Sequence, residues 1–205
     1  MMVRAVVFDI GGVLTTTPDT NWQHTWEAKL NLEPGQLIKS TLHVWQAGSV
    51  GALSEHDVSA SVREILGLAA FDFEAMMTDI WSQYLGELNE ELAYYFRSLR
   101  PSYRTAILSN SFVGAREKEQ LRYRMQEMAD FIVYSHEVGM SKPDPRIYWL
   151  TCERLGIPPE ATIFLDDVEA NIEAARIVGM HAIHFKSNAQ AIADINASLA
   201  LTEFA

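Results

Sequence analysis

Four short stretches of the chain hold the side chains best suited to chemistry, and each follows an apolar run. The first is V-R-A-V-V-F-D-I-G-G-V-L-T (residues 3–15), in which an apolar, β-branched segment stops at the carboxylate Asp9 and continues through Gly11 and Gly12. Two glycines there let the backbone turn and approach a ligand with no side chain in the way, which makes Gly12 a candidate for substrate binding. The second is L-S-N-S, offering the hydroxyl of Ser109 and the amide of Asn110. The third is S-K-P-D-P, in which Lys142 precedes a helix expected to open at Pro143, so that ammonium and helix N-terminus could face one anion. The fourth is F-L-D-D-V-E-A-N, with Asp166 and Asp167 adjacent. Like-charged carboxylates repel unless a cation neutralises them, so Asp9, Asp166 and Asp167 together predict a hard divalent ion such as Mg²⁺. Taken alone, Asp9 is equally compatible with a carboxylate that caps the loop after a strand.

The elements that must position these groups follow from the hydrophobic pattern. Val3–Phe8 has the continuous apolar character of a strand buried on both faces. From Asn89 onward, strands expected at 103–108, 131–134, 161–165 and 181–185 alternate with helices, including a highly charged one over 114–127. Alternation of this kind implies parallel strands joined by crossovers. Such sheets bind ligands at the carboxyl ends of their strands. Residues 17–86 lack strand alternation, and Ser54-Glu55-His56-Asp57 there resembles a helix N-cap with acidic residues in its first turn. The expected fold is α/β: a Rossmann-like doubly wound parallel sheet from residues 1–16 and 87–205, with an inserted all-helical cap over 17–86.

Composition narrows the function classes. A chain of 205 residues with 48% hydrophobic and 21% charged residues is long enough for one full core. No apolar run approaches the ~20 residues of a membrane span. The N-terminal run is too short for a signal peptide, so a cytoplasmic location is expected. A single cysteine, Cys152, excludes an internal disulfide and falls on a helical pattern as a packing residue. The net charge of −11 argues against nucleic acid or an anionic membrane as a partner. It leaves room for a small anionic substrate, because one cation and one lysine reverse the local sign.

In order and spacing, the four stretches resemble the motifs of haloacid dehalogenase-superfamily hydrolases with a small helical cap after the first strand. Within that superfamily the chain is similar to sugar-phosphate phosphatases and to the phosphatase domain of soluble epoxide hydrolases. The resemblance implies a Mg²⁺-dependent phosphomonoesterase acting on a small phosphorylated metabolite, such as a sugar phosphate. Asp9 would attack phosphorus and form an aspartyl-phosphate. Ser109 would hold a phosphoryl oxygen, Asn110 would lie beside the leaving group, and Lys142 would neutralise Asp9 and the phosphoryl group. Asp9, the backbone carbonyl of Gly11, Asp167 and the neighbouring Asp166 would form the metal site, with Asn171 orienting it.

One departure stands out. Most phosphatases of this kind carry a second Asp two residues after the nucleophile as general acid and base, and here that position is Gly11. Such assistance is worth ~10²–10⁴-fold. A good leaving group, a proton donor in the cap such as His24 or His43, or a binding protein with weak turnover would each accommodate the loss. A metal-independent 2-haloacid dehalogenase is the enzymatic alternative, and the paired Asp166-Asp167 weighs against it. Trp22, Trp26 and Trp45 are candidates either to roof the site or to fill the cap's own core. Arg116, Lys118 and Arg122 are expected on a solvated helix face.

Overall fold

The computed structural model describes residues 2–200. Five parallel strands form the main sheet: β1 (Ala5–Phe8), β4 (Arg104–Ser109), β5 (Phe131–Tyr134), β6 (Thr162–Asp166) and β7 (His181–His184), in the order β5-β4-β1-β6-β7. β1 lies at the centre, with Phe8 in register with Ile107 on one side and Leu165 on the other. All four residues of β1 are buried, as a strand covered on both faces requires. Alternate side chains serve opposite layers. Val6 and Phe8 join Leu92 and Phe96 of helix α5 (Glu90–Ser98) and Ile195 of α10 (Asn188–Ala200). Ala5 and Val7 join Tyr148 and Cys152 of α8 (Pro145–Leu155) and Ile172 of α9 (Glu169–Val178). Phe8 stacks on Phe96 with ring centroids 4.4 Å apart. Cys152 is a buried packing residue, and burial pushes its thiol up to about 11.

Four helices occupy the segment between the first and second strands of this sheet: α1 (Trp22–Lys29), α2 (Gln36–Ser49), α3 (Glu55–Leu66) and α4 (Ala70–Leu85). Ser54 caps α3 through a capping box with Asp57. These helices bury their own cluster, including Trp26, Val44, Val62 and Met76, to which Val113 and Phe112 of the α/β part are added. Trp26 therefore packs inside this layer, with its indole N–H donating to Asp79 at 2.8 Å.

Thr15–Thr16 (β2) pairs antiparallel with Glu87–Leu88 (β3), so the two crossings into and out of the helical segment are bonded to each other. Two residues are too few to leave a periodic signature. Two expectations need correction. The helix after Lys142 starts at Pro145, not Pro143, because the Asp144 carboxylate accepts from the Arg146 N–H and caps it. The charged helix α6 (Ala115–Tyr123) ends where Arg124 turns left-handed, and a single 3₁₀ turn, Met125–Glu127, follows.

α6 also does more than present a solvated face. Lys118 pairs with Glu55 at 2.8 Å and lies 4.3 Å from the Trp81 ring centroid. Arg122 and Tyr123 donate to the Gly86 carbonyl at 3.2 and 2.5 Å. Arg116 pairs with Glu137 and lies over the Tyr134 ring. On its inner side Glu119 is buried and accepts from the Tyr134 hydroxyl at 2.5 Å. Burial pushes the Glu119 carboxyl up to about 7, against its hydrogen bonds and with help from the negative charge of Asp9.

Two predictions follow from this arrangement. Gly86 has φ 62° and ψ −141°, and an added Cβ would lie 1.9 Å from the Thr16 carbonyl oxygen. Gly86→Ala should therefore destabilise the protein by more than about 2 kcal/mol in denaturant unfolding, and a loss within about 0.5 kcal/mol would contradict so close an approach. The second concerns Glu119. Its folded-state pKa of about 7 lies above the ordinary 4.5, so the stability its proton contributes is complete below pH 4.5 and is lost as pH rises to 7. Glu119→Gln should gain on the wild type by up to ~1.4 kcal/mol per pH unit across that window. Urea unfolding at several pH values measures this, and parallel wild-type and variant curves would refute it.

Candidate active site

The groups singled out from the sequence converge at the carboxyl ends of the central strands. Asp9 follows β1, and its backbone N–H donates to the Leu165 carbonyl at 3.0 Å. The Lys142 ammonium lies 2.7 Å from Asp9 Oδ1 and 2.6 Å from Asp166 Oδ2, and all three residues are buried. Asp166 also accepts from the Val168 N–H at 2.8 Å and from Asn171 Nδ2 at 3.0 and 3.1 Å. Its oxygens are thus engaged within the protein. Asp167, by contrast, is exposed, and its backbone carbonyl accepts from His184 Nε2 at 2.9 Å. Ser109 is buried at the end of β4, and its hydroxyl makes no side-chain hydrogen bond among the described residues.

The two glycines after Asp9 differ in kind. Gly12 has φ +76°, and a Cβ there would lie 2.1 Å from Asp167 Oδ2, so the missing side chain is what lets Asp167 close on the turn. Gly11 has ordinary backbone geometry and open space where a Cβ would go.

Charge balance supports a cation at this place. One carboxylate oxygen from each of Asp9, Asp166 and Asp167 lies within a set spanning 4.8 Å. Three carboxylates against one ammonium leave two uncompensated negative charges. Burial, opposed by Lys142 and reinforced by Asp166, pushes the Asp9 carboxyl up to about 7. Burial and Asp166 also raise Asp167. Burial acts against the charge of Lys142, but its two carboxylates outweigh that and raise its pKa. An all-oxygen, doubly negative cluster suits a hard divalent ion.

The remaining expected residues sort clearly. Asn171 contacts Asp166 as anticipated. Asn110 is occupied differently: its Oδ1 accepts from the Lys142 N–H at 2.7 Å and its Nδ2 donates to the Lys142 carbonyl at 2.8 Å. Its amide clamps the lysine backbone. Trp45 lines a cavity beside Asn110, whereas Trp22 and Trp26 pack in the helical layer. His24 and His43 are exposed and do not line that cavity. The sequence reading passed over Trp81, Tyr84 and Phe112, which do. Trp81 and Tyr84 sit in an apolar-rich helix where they are indistinguishable from core. Phe112, three residues after Ser109, was the detectable signal.

Comparison with known proteins shows the family. The chain is 28% identical to bifunctional epoxide hydrolase 2 of Sus scrofa over 95% of its own length, and it spans 38% of that longer protein. It is 30% identical to a phosphatase of Mycobacterium tuberculosis, covering 89% of this chain and 87% of that one. A Bacteroides thetaiotaomicron enzyme of the haloacid dehalogenase family, solved with magnesium and inorganic phosphate, superposes with a TM-score of 0.74 at 21% identity, covering 91% of this chain and 96% of that one. Residues 3–179 match the family of haloacid dehalogenase-like hydrolases, and with the strand-end constellation described above the chain belongs to that family.

Proposed function

We propose that the protein is a Mg²⁺-dependent phosphomonoesterase acting on a small phosphorylated metabolite, with Asp9 as its nucleophile. The observation that carries this reading is the buried Lys142 ammonium held between Asp9 and Asp166 beside the open carboxylate of Asp167. The phosphatase relative that the chain matches over most of both lengths supports it, as does the magnesium and phosphate complex of the Bacteroides enzyme.

In this reading an Asp9 carboxylate oxygen forms a bond to phosphorus as the bond from phosphorus to the alcohol oxygen breaks. Water then displaces the phosphoryl group from Asp9, releasing phosphate and restoring the carboxylate. Lys142 stabilises negative charge on Asp9 before attack and on the phosphoryl oxygens afterwards. The Ser109 hydroxyl donates to a phosphoryl oxygen. Gly12 keeps the turn open for the phosphoryl group and for Asp167. Asp9, the Gly11 carbonyl and Asp167 would hold the cation, with Asp166 beside them positioning Lys142; when bound, Mg²⁺ neutralises the carboxylates and the phosphate. Residues 17–86 serve as the cap that bounds the substrate. A metal-independent dehalogenase has no comparable use for Asp167.

Asp9→Asn should abolish turnover by several orders of magnitude and leave thermal unfolding cooperative. A beryllium fluoride adduct on Asp9 should require added Mg²⁺. Turnover that persists in excess chelator would reject the metal dependence.

Gly11 generates a separate expectation. With no carboxyl there, the leaving oxygen departs with little proton assistance, and the rate should depend steeply on leaving-group acidity across aryl and alkyl phosphates. Because space and backbone geometry at Gly11 admit a side chain, Gly11→Asp should raise the rate for poor leaving groups most, by up to ~10²-fold. A flat dependence in both proteins would remove Gly11 from the account of reactivity.

A further inference from the structure

A cavity of about 340 Å³ opens between α2, α4 and the turn that follows β4. Its walls are Trp45, Met77, Ile80, Trp81 and Phe112, and the Phe112 ring lies 5.4 Å from that of Trp45 and 6.1 Å from that of Trp81. Its floor is Asn110 and Ser111, directly after Ser109. The two hydrogen bonds from Asn110 to the Lys142 backbone tie this floor to the ammonium that contacts Asp9. A phosphoryl group held by Ser109 and Lys142 would therefore direct the rest of its ester into this space.

The polar atoms around the cavity are already committed. The Trp45 indole N–H donates to Thr41 Oγ1 at 2.7 Å, and the Ser49 hydroxyl donates to the Gln46 carbonyl at 2.8 Å. The Ser111 hydroxyl lies 2.6 Å from His136 Nδ1, and its N–H donates to Ser135 Oγ at 2.8 Å. The Asn110 amide is spent on Lys142, and the Tyr84 hydroxyl interacts with Glu119. Among the side chains, what remains is the Trp81 indole N–H, which makes no hydrogen bond among the described residues, and the exposed amide of Gln46. A polyol placed here would give up water at several hydroxyls and find partners for one or two. Each buried, unpaired hydroxyl costs about 1–3 kcal/mol, whereas every buried methylene is favourable.

We infer that the substrate's alcohol half is apolar, an alkyl, isoprenoid or aryl group of about ten non-hydrogen atoms at the ~30 Å³ a water occupies in the liquid, and not a sugar. This inference rests on the phosphomonoesterase reading only for turnover; its binding component is independent of it.

The test uses the full chain with Mg²⁺ and two measurements. Binding of n-alkylphosphonates from methyl to decyl, followed by tryptophan fluorescence, should tighten by up to about fourfold per methylene and level off once the cavity is filled. Simple n-alkyl phosphates longer than ethyl share nearly one leaving-group acidity, so their kcat/KM should rise with chain length for the same reason. Pentitol and hexose phosphates should do no better than ethyl phosphate. Trp81→Ala and, as a second variant in case the first does not fold, Ile80→Ala should flatten the chain-length dependence. Turnover of sugar phosphates with a flat alkyl series would overturn the inference and leave the phosphatase reading standing. Chain-length-dependent phosphonate binding with no turnover of any ester would support the apolar site and overturn the phosphatase reading. Flat binding with no turnover would overturn both.

Discussion

The buried ammonium of Lys142 is the contact on which the rest of the site depends. Two carboxylates at the ends of adjacent strands would repel each other in a crevice with little water, and Lys142 lies within hydrogen-bonding distance of both. Burying such a triad is not in itself stabilising, but removing one member of it leaves a buried charge unpaired, typically at a cost of about 3–5 kcal/mol. The surroundings keep its geometry from drifting. Asn110 fixes the lysine backbone from β4, and Asn171 and the Val168 N–H fix Asp166 from the start of α9. The geometry around Lys142 is thus set by short links among strand ends.

A second level of organisation concerns how the helical segment is held against the sheet. α6 carries charges along a length that meets both parts. At one place Lys118 joins Glu55 and Trp81, and at another Arg122 and Tyr123 hold the Gly86 carbonyl next to the β2–β3 pair. Between them Glu119 faces inward among Tyr134 and Tyr84. These groups make the helix a strut, and its hydrophilic composition reflects contacts with charged and aromatic partners as well as with water.

The sheet was legible in the sequence because buried parallel strands leave uninterrupted apolar runs, and the order of acidic, hydroxyl and basic residues at their ends survived translation into three dimensions. Asp9, Lys142, Asp166 and Ser109 meet where strand adjacency brings them. What was not legible depended on contacts between distant segments. The β2–β3 pair joins residues 71 or more positions apart with only two residues a side. The start of α8 turned on whether Asp144 or the preceding residues capped it. The contact of Asn110 with Lys142 is an amide folded back on a backbone 32 residues away, and nothing in its local sequence distinguishes that from an amide facing a ligand. Trp81 and Tyr84 are aromatic residues whose pattern is that of core, and only packing separates a cavity wall from a filled interior.

The placement of the Asn110 clamp has a consequence for how such a protein can change over time. In the proposed function, every hydrogen bond among the described residues that links Asp9, the ammonium and the cavity floor runs between the ends of β1, β4 and β6 and the turn before α8. The walls contributed by α2 and α4 meet that floor through apolar contact and one bridge to a backbone carbonyl, Ser135 Oγ accepting from the Ser111 N–H and donating to the Ser49 carbonyl. Substitutions in those two helices can therefore reshape what is admitted while the spacing of the reacting atoms stays as it was. Selectivity and reactivity are inherited through separate sets of residues, so each can drift under its own constraint.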